Sequence, residues 1–99
     1  MDQPLSALQA ATHHAVIDGP GFTDTSLRSR IASGQPPPEL EALVRKIRDH
    51  AFTVTDRDVD ALRARYSEDQ LFELMVAATL GAAEDRLKAA LAALEAACG

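Results

Sequence analysis

One long helix dominates what this sequence can fold into. The run Ser67-Glu68-Asp69-Gln70 has the capping-box pattern, in which the first and fourth side chains bond each other's backbone N–H groups. No proline or turn signal follows until about Ala97, so the sequence predicts one helix over residues 67–97. Gly81 lies inside it, where glycine costs about 1 kcal/mol relative to alanine. Among alanine-rich turns, we expect this glycine to permit close packing against another helix.

Large apolar side chains recur along this helix at helical spacing. In a small bundle such a stripe forms core or subunit interface more often than a ligand pocket, and we expect the same here. On another face, Glu84 and Lys88 are four residues apart, which predicts a local ion pair. The stripe consists of Leu71, Leu74, Met75, Leu80, Leu87, Leu91 and Leu94.

Two shorter helices are expected in the first third of the chain. Residues 5–17 carry apolar side chains near helical spacing, and the Gly-Pro-Gly run at 19–21 ends that segment. Asp24 is a suitable cap for a second helix that continues to Ile31. Ser33 and Gly34 then close it, since glycine readily leaves the helical conformation.

A proline-rich connector at 35–38 leads into a third helix, and a fourth follows. The third starts near Pro38 or Glu39, because proline costs no hydrogen bond at the first helical position. Thr55 caps the fourth, with acidic residues in its first turn. No segment alternates like a strand, so the sequence predicts a single all-α domain over 1–99, a bundle of about five helices. The third helix has an apolar stripe of Leu40, Leu43, Val44, Ile47 and Ala51.

The length and composition of the chain predict a small hydrophobic core. A chain of 99 residues buries only about 60–65% of the surface that its unfolded form exposes. Hydrophobic residues make up 46%, but many are alanine, which carries little apolar area, and aromatic residues make up only 4%. Because an oligomer buries additional surface, we expect a homo-oligomer.

The net charge and the distribution of apolar residues limit which binding partners and which cellular location we expect. The net charge of −5 disfavours nucleic acid, whose phosphates require clustered Lys and Arg. No run of about 18 apolar residues is present, so no membrane span is predicted. The start of the chain does not resemble a signal peptide, and Cys98 has no second cysteine to pair with. We therefore expect a cytoplasmic protein with one free thiol.

Three segments together resemble the carboxymuconolactone decarboxylase and alkylhydroperoxidase D family. They are the runs at 50–57 (HAFTVTDR), 61–64 (ALRA) and 66–71 (YSEDQL), and the long helix that follows also resembles the family. The similar region covers roughly residues 39–97. The resemblance implies an alkylhydroperoxidase D-like helical bundle with a long C-terminal helix. Because members of that family often form trimers or hexamers, it also implies a homo-oligomer.

The sequence departs from this family where the family does its chemistry. His50 and Thr53 stand in place of the two cysteines of the Cys-x-x-Cys motif, and Arg57 stands in place of the histidine. Glu39 lies near the position of the family's proton-relay glutamate but out of register, and Arg65 replaces the usual turn glycine. Without a thiolate and its resolving partner, thiol peroxidase chemistry is excluded.

Each candidate site residue has a functional and a structural interpretation. His50 could act as a general base, because imidazole changes its charge near neutral pH, or it could simply stabilise the end of the third helix. Arg57 could hold a carboxylate bidentately, or it could pair with one of its neighbours Asp56, Asp58 and Asp60. The structural interpretation is favoured for both residues. Thr53 and Glu39 are weaker candidates.

No metal or cofactor is expected. His13 and His14 are adjacent, and adjacent side chains on a helix point about 100° apart, so they cannot bind one ion together.

The favoured function is that of a non-catalytic oligomeric or accessory protein that resembles this family. One alternative is a cofactor-free enzyme acting on a small acidic metabolite, with His50 as the base and Arg57 as the anion clamp. Another is a module that binds a small molecule or a partner protein in the cleft that this hypothesis places around His50 and Arg57. The loss of both cysteines and the histidine together favours a protein without catalytic activity.

Overall fold

Five helices form the fold, as the sequence predicts. The computed structural model describes residues 10–98, and no strand occurs among them. Helix α1 covers residues 10–18 and ends as a π-helix, His14–Asp18; α2 is Thr25–Ala32, α3 is Glu41–His50, α4 is Asp56–Asp60 and α5 is Glu68–Cys98. Short 3-10 turns, Pro38–Leu40 and Ala51–Thr53, precede and follow α3. Residues 5–9 of the first predicted helix lie outside the described part of the chain.

The 31-residue helix α5 is the scaffold of the domain, and its predicted capping box is confirmed. The backbone N–H of Ser67 donates to Gln70 Oε1 at 2.9 Å, and the N–H of Gln70 donates to Ser67 Oγ at 3.1 Å. These bonds satisfy two of the N–H groups that every helix start leaves without a partner. A local sequence pattern thus fixes where the scaffold begins.

The core covers only the first half of α5. Helices α2 and α3 both pack against α5, and α1 packs against α2 and α5. The buried residues of α5 end at Ala82, and all residues from 88 to 98 are exposed. The predicted stripe of the third helix is confirmed for four of its residues, whereas Ala51 is exposed because the chain has entered a 3-10 turn there. The larger core side chains are Ile17, Ile31, Leu40, Leu43, Val44, Ile47, Leu62, Leu71 and Leu74.

Gly81 allows α2 to contact α5, which confirms the predicted role of this glycine. A β-carbon built on Gly81 would lie 2.7 Å from the Cα of Ala32 and closer still to the carbonyl oxygen of Ala32. That distance is far inside van der Waals contact, so any side chain at this position would push α2 away. The backbones touch only because Gly81 has no side chain.

Arg28 is a buried charge in the core that the sequence pattern did not predict. Among residues 10–98 it is the one buried charged residue, with 2% of its surface exposed. Its Nη1 donates to the carbonyl of Val16 at 2.8 Å and its Nη2 to the carbonyl of Thr23 at 3.1 Å. Its Nε lies 3.4 Å from Glu73 Oε1, which is ion-pair distance without hydrogen-bond geometry.

Glu73 completes this buried cluster from α5. Its carboxylate accepts the N–H groups of Phe22 and Thr23, each at 2.8 Å, and also the hydroxyl of Thr23. Burial of the carboxyl opposes ionisation, but these hydrogen bonds and the charge of Arg28 hold the pKa of Glu73 below its ordinary value of 4.5. The pair therefore ties the loop between α1 and α2 to the scaffold helix.

Several local predictions need correction. Asp24 occupies the cap position of α2, but its side chain makes no capping hydrogen bond. Glu84 does not pair with Lys88, because the imidazole of His13 lies 2.9 Å from its Oε2 and occupies its carboxylate. Arg65 has a negative φ, so the turn at 61–65 does without the left-handed residue that a glycine would supply.

We expect Glu73→Gln to destabilise the fold by about 2–3 kcal/mol at pH 7, because it leaves the buried Arg28 charge unpaired. The depressed pKa means that ionised Glu73 stabilises the fold fully above pH 4.5, and that this contribution is lost as the pH falls through the lower folded-state pKa. The variant should therefore lose part of the acid dependence of the unfolding free energy. Urea unfolding across a pH series measures both quantities.

Glu41→Gln is the matched control, because Glu41 pairs with Arg45 on the exposed face of α3. It should change the unfolding free energy at pH 7 by less than about 0.5 kcal/mol. Equal losses in the two variants would contradict the anchoring role of Glu73.

Candidate functional site

His50 and Thr53 lie together at the C-terminal end of α3. His50 is the last residue of the helix and is exposed. The hydroxyl of Thr53 donates to the carbonyl oxygen of His50 at 2.7 Å, which satisfies one of the carbonyls that a helix end leaves without a partner. The structure thus gives Thr53 a structural role and places His50 where the helix-end interpretation puts it.

Arg57 lies in α4 and is exposed, but it does not have the local partners suggested by its sequence neighbours. The carboxylate of Asp58 is bound by Lys46 at 2.9 Å and by the backbone N–H of Thr55 at 2.9 Å. Asp60 pairs with Arg63. Within residues 10–98, Arg57 itself makes no ion pair.

Glu39 lies at the opposite end of α3 from His50. The ten residues of α3 separate these positions by about 15 Å. The hydroxyl of Tyr66 donates to Glu39 Oε2 at 2.9 Å, and the guanidinium of Arg65 lies 3.8 Å from the same oxygen. Glu39 is therefore an acceptor that ties the turn before α5 to the start of α3, and it is too far away to relay a proton to His50.

The pKa directions agree with this arrangement. A backbone hydrogen bond at Glu39, followed by the bond from Tyr66, holds the pKa of Glu39 below its ordinary value. Partial burial, followed by the hydrogen bond to Glu39, raises the pKa of Tyr66 above its ordinary value of 10.0. The phenol thus stays protonated and keeps donating over the whole neutral range.

Because Tyr66 is the single tyrosine and the chain has no tryptophan, ultraviolet absorbance reports its ionisation alone. We expect Glu39→Gln to lower the pKa of Tyr66 towards 10.0, since the variant removes the carboxylate that stabilises the protonated phenol. Glu41→Gln, two residues away, is the control and should leave the titration unchanged. An unaltered titration in Glu39→Gln would show that this hydrogen bond does not form in solution.

The structure places His50 in a cleft that the sequence did not reveal. Residues 48–50 of α3 and Ala82, Asp85 and Arg86 of α5 line an open cleft of about 430 Å³, here called the His50 cleft. Arg57 is not among its lining residues. The sequence does not identify Arg86 as part of a site, because nothing local indicates which residue of α5 faces the end of α3.

Both arginines of the His50 cleft already bond other groups of the protein. Arg48 donates to the carbonyl of Ala32 at 3.0 Å and pairs with Asp85, and Arg86 donates to the carbonyl of Arg48. Two guanidinium groups and one imidazole therefore line the cleft together with the carboxylates of Asp49 and Asp85. Such a cleft can bind a small anion weakly, but it does not combine His50 with Arg57.

The two adjacent histidines have different partners. His13 Nδ1 lies 2.9 Å from Glu84 Oε2, whereas His14 Nδ1 lies 3.2 Å from Asp18 Oδ2. In the described part of the chain, no group of three or more His, Cys, Asp or Glu residues could hold a metal ion.

The second half of α5 lies outside the core and carries two of the exposed large apolar side chains; Phe22 and Phe72 are others. Leu91 is 44% and Leu94 is 59% exposed, and Cys98 is an exposed free thiol. None of the described helices is both long enough and apolar enough to cross a membrane.

Comparison with models of known protein families gave no match, and comparisons with curated proteins and with solved structures gave none either. The resemblance noted in the sequence therefore stays a prediction.

Proposed function

We propose that this protein is a non-catalytic, self-associating helical protein, similar to the carboxymuconolactone decarboxylase family but without its thiol peroxidase chemistry. In this proposal it acts in the cytoplasm as a homo-oligomeric or accessory subunit. The observation that carries the proposal is the exposed leucine pair Leu91 and Leu94 on a half-helix that contributes nothing to the core.

The energetics favour covering this surface. Full burial of a leucine side chain stabilises a protein by about 1.5–3 kcal/mol, and roughly half of that remains available at Leu91 and at Leu94. The core of this domain uses only half of its main helix. Apolar surface buried between subunits therefore adds substantially to the stability of the fold.

The distribution of the candidate catalytic residues also supports the absence of catalysis. Thr53 and Glu39 each make a hydrogen bond that holds the fold, and Glu39 is about 15 Å from His50. Arg57 lies outside the His50 cleft. The enzyme hypothesis needs His50 beside the Arg57 clamp or the Glu39 relay, and the fold brings neither of them to it.

Light-scattering mass after size exclusion, measured over a concentration range, tests self-association. We expect the wild type to run as an oligomer whose mass is unaffected by reductant, and the double variant Leu91→Lys/Leu94→Lys to run as a folded monomer. The control, Ala89→Lys/Ala96→Lys, adds the same charge on the opposite face of α5 and should remain oligomeric. A monomeric wild type at every concentration would refute the proposal.

A second candidate function, binding of a small carboxylate, is favoured by one observation. Arg48, Arg86 and His50 line the same open cleft. Guanidinium groups bind carboxylates through paired hydrogen bonds, so the cleft offers a weak site for such a ligand.

NMR titration with small mono- and dicarboxylates tests this second candidate. We expect shifts at the residues lining the His50 cleft, and about a tenfold weaker affinity in Arg86→Gln. Arg45→Gln, which removes an exposed arginine that pairs with Glu41 on α3, is the control and should bind normally. The absence of shifts at millimolar carboxylate would exclude this function.

A further inference from the structure

The last three turns of α5 carry a narrow apolar seam. Leu87, Leu91, Leu94 and Cys98 follow one another at intervals of four, three and four residues, which is the a/d spacing of a coiled coil. At 100° per residue these four side chains fall within a strip about 60° wide. We call these residues the α5 seam.

Helix α1 borders only the first part of the α5 seam. His13 of α1 contacts Glu84, three residues before Leu87, and α1 lines an open cleft together with Leu87 and Leu91. Beyond Leu87 the exposure rises from Leu91 to Leu94, and every residue from 88 onward is exposed. The seam therefore continues the surface on which α1 packs, but without a cover from residues 10–98.

The charges beside the seam indicate what covers it. Lys88 and Glu95 both lie on one flank, seven residues apart, and neither makes an ion pair with any residue from 10 to 98. The other flank carries only alanine, at positions 83, 90 and 97. An identical helix that runs in the opposite direction brings its negative group beside the positive one and its positive group beside the negative one. This flank therefore complements itself in an antiparallel pair.

We infer that two copies of this chain pair through the α5 seam in antiparallel orientation. Leu91 then packs against Leu94 of the partner subunit, and Leu87 packs against Cys98 of the partner subunit. Lys88 and Glu95 form two symmetric ion pairs with Glu95 and Lys88 of the partner subunit, offset by about 3 Å along the axis. This inference rests on the proposed self-association and specifies the contact that produces it.

A parallel pairing does not use these charges. In a parallel coiled coil, each of these flank positions faces the opposite flank of the other helix, where this chain has only alanine. A parallel pair would also align the negative ends of two helix dipoles, whereas an antiparallel pair places opposite ends together. The seam spans about three turns, so the interface is small and the dimer should be weak and concentration-dependent.

Cross-linking through cysteine distinguishes the two orientations. In the antiparallel pair the two Cys98 thiols are about 16 Å apart, so mild oxidation of the wild type should not link the chains. In Leu87→Cys the new thiol faces Cys98 of the partner subunit, so oxidation should give a covalent dimer that reductant reverses. Ala89→Cys, with its thiol on the opposite face of α5, is the matched control and should not link.

Charge exchange gives a second test that leaves the apolar seam intact. Lys88→Glu and Glu95→Lys should each weaken dimerisation, by about fivefold, because like charges then face each other twice in the pair. The double variant Lys88→Glu/Glu95→Lys should restore the wild-type dimerisation constant to within about twofold. Sedimentation equilibrium at low salt measures these constants, with circular dichroism to verify the helical fold.

The outcomes separate this inference from the proposed function. Linking of wild-type chains through Cys98, together with no recovery in the charge exchange, would overturn the antiparallel pair and leave self-association standing. Equal linking of Leu87→Cys and Ala89→Cys would also overturn it, since the contact would then be non-specific. Chains that stay monomeric and never link would overturn both proposals.

Discussion

The ion pair between Arg28 and Glu73 is the interaction on which the arrangement of the N-terminal half depends. Three parts of the chain meet at it: the end of α1 through the carbonyl of Val16, the loop through Thr23, and α5 through Glu73. A buried arginine is costly unless its donors are satisfied, so any arrangement that separates these segments leaves a charge in the core. The pair therefore selects one placement of α1 and α2 on α5, which a thin apolar core alone specifies poorly.

The long helix uses its two halves for different purposes. Its first half contacts α2 so closely that Gly81 must lack a side chain, and the buried positions end one residue later, at Ala82. Its second half presents the α5 seam on a different face from those buried positions. Because the two surfaces share no residues, the association of subunits can weaken or strengthen without repacking of the core.

The sequence predicted local features well and distant pairings poorly. The capping box of Ser67 and the apolar stripe from Leu40 to Ile47 depend on residues three or four positions apart, so their spacing is visible in the chain itself. The pairing of Thr23 with Glu73 joins residues 50 positions apart, and no local pattern encodes it. The His50 cleft was unpredictable for the same reason, since Arg86 reaches the end of α3 only once α3 packs on α5.

The candidate site shows why reactive residue types that are close in the sequence need not assemble an active site. His50, Thr53 and Arg57 lie within eight residues of the sequence, yet Thr53 closes a helix end and Arg57 lies outside the cleft of His50. A thiolate needs only a partner one turn away, whereas an imidazole that acts as a base needs a substrate held by a second group. Here the guanidinium groups that line the cleft with His50 belong to Arg48 and Arg86, and both already bond backbone carbonyls. The groups around His50 thus hold α3 against α5, and any ligand must compete with these contacts.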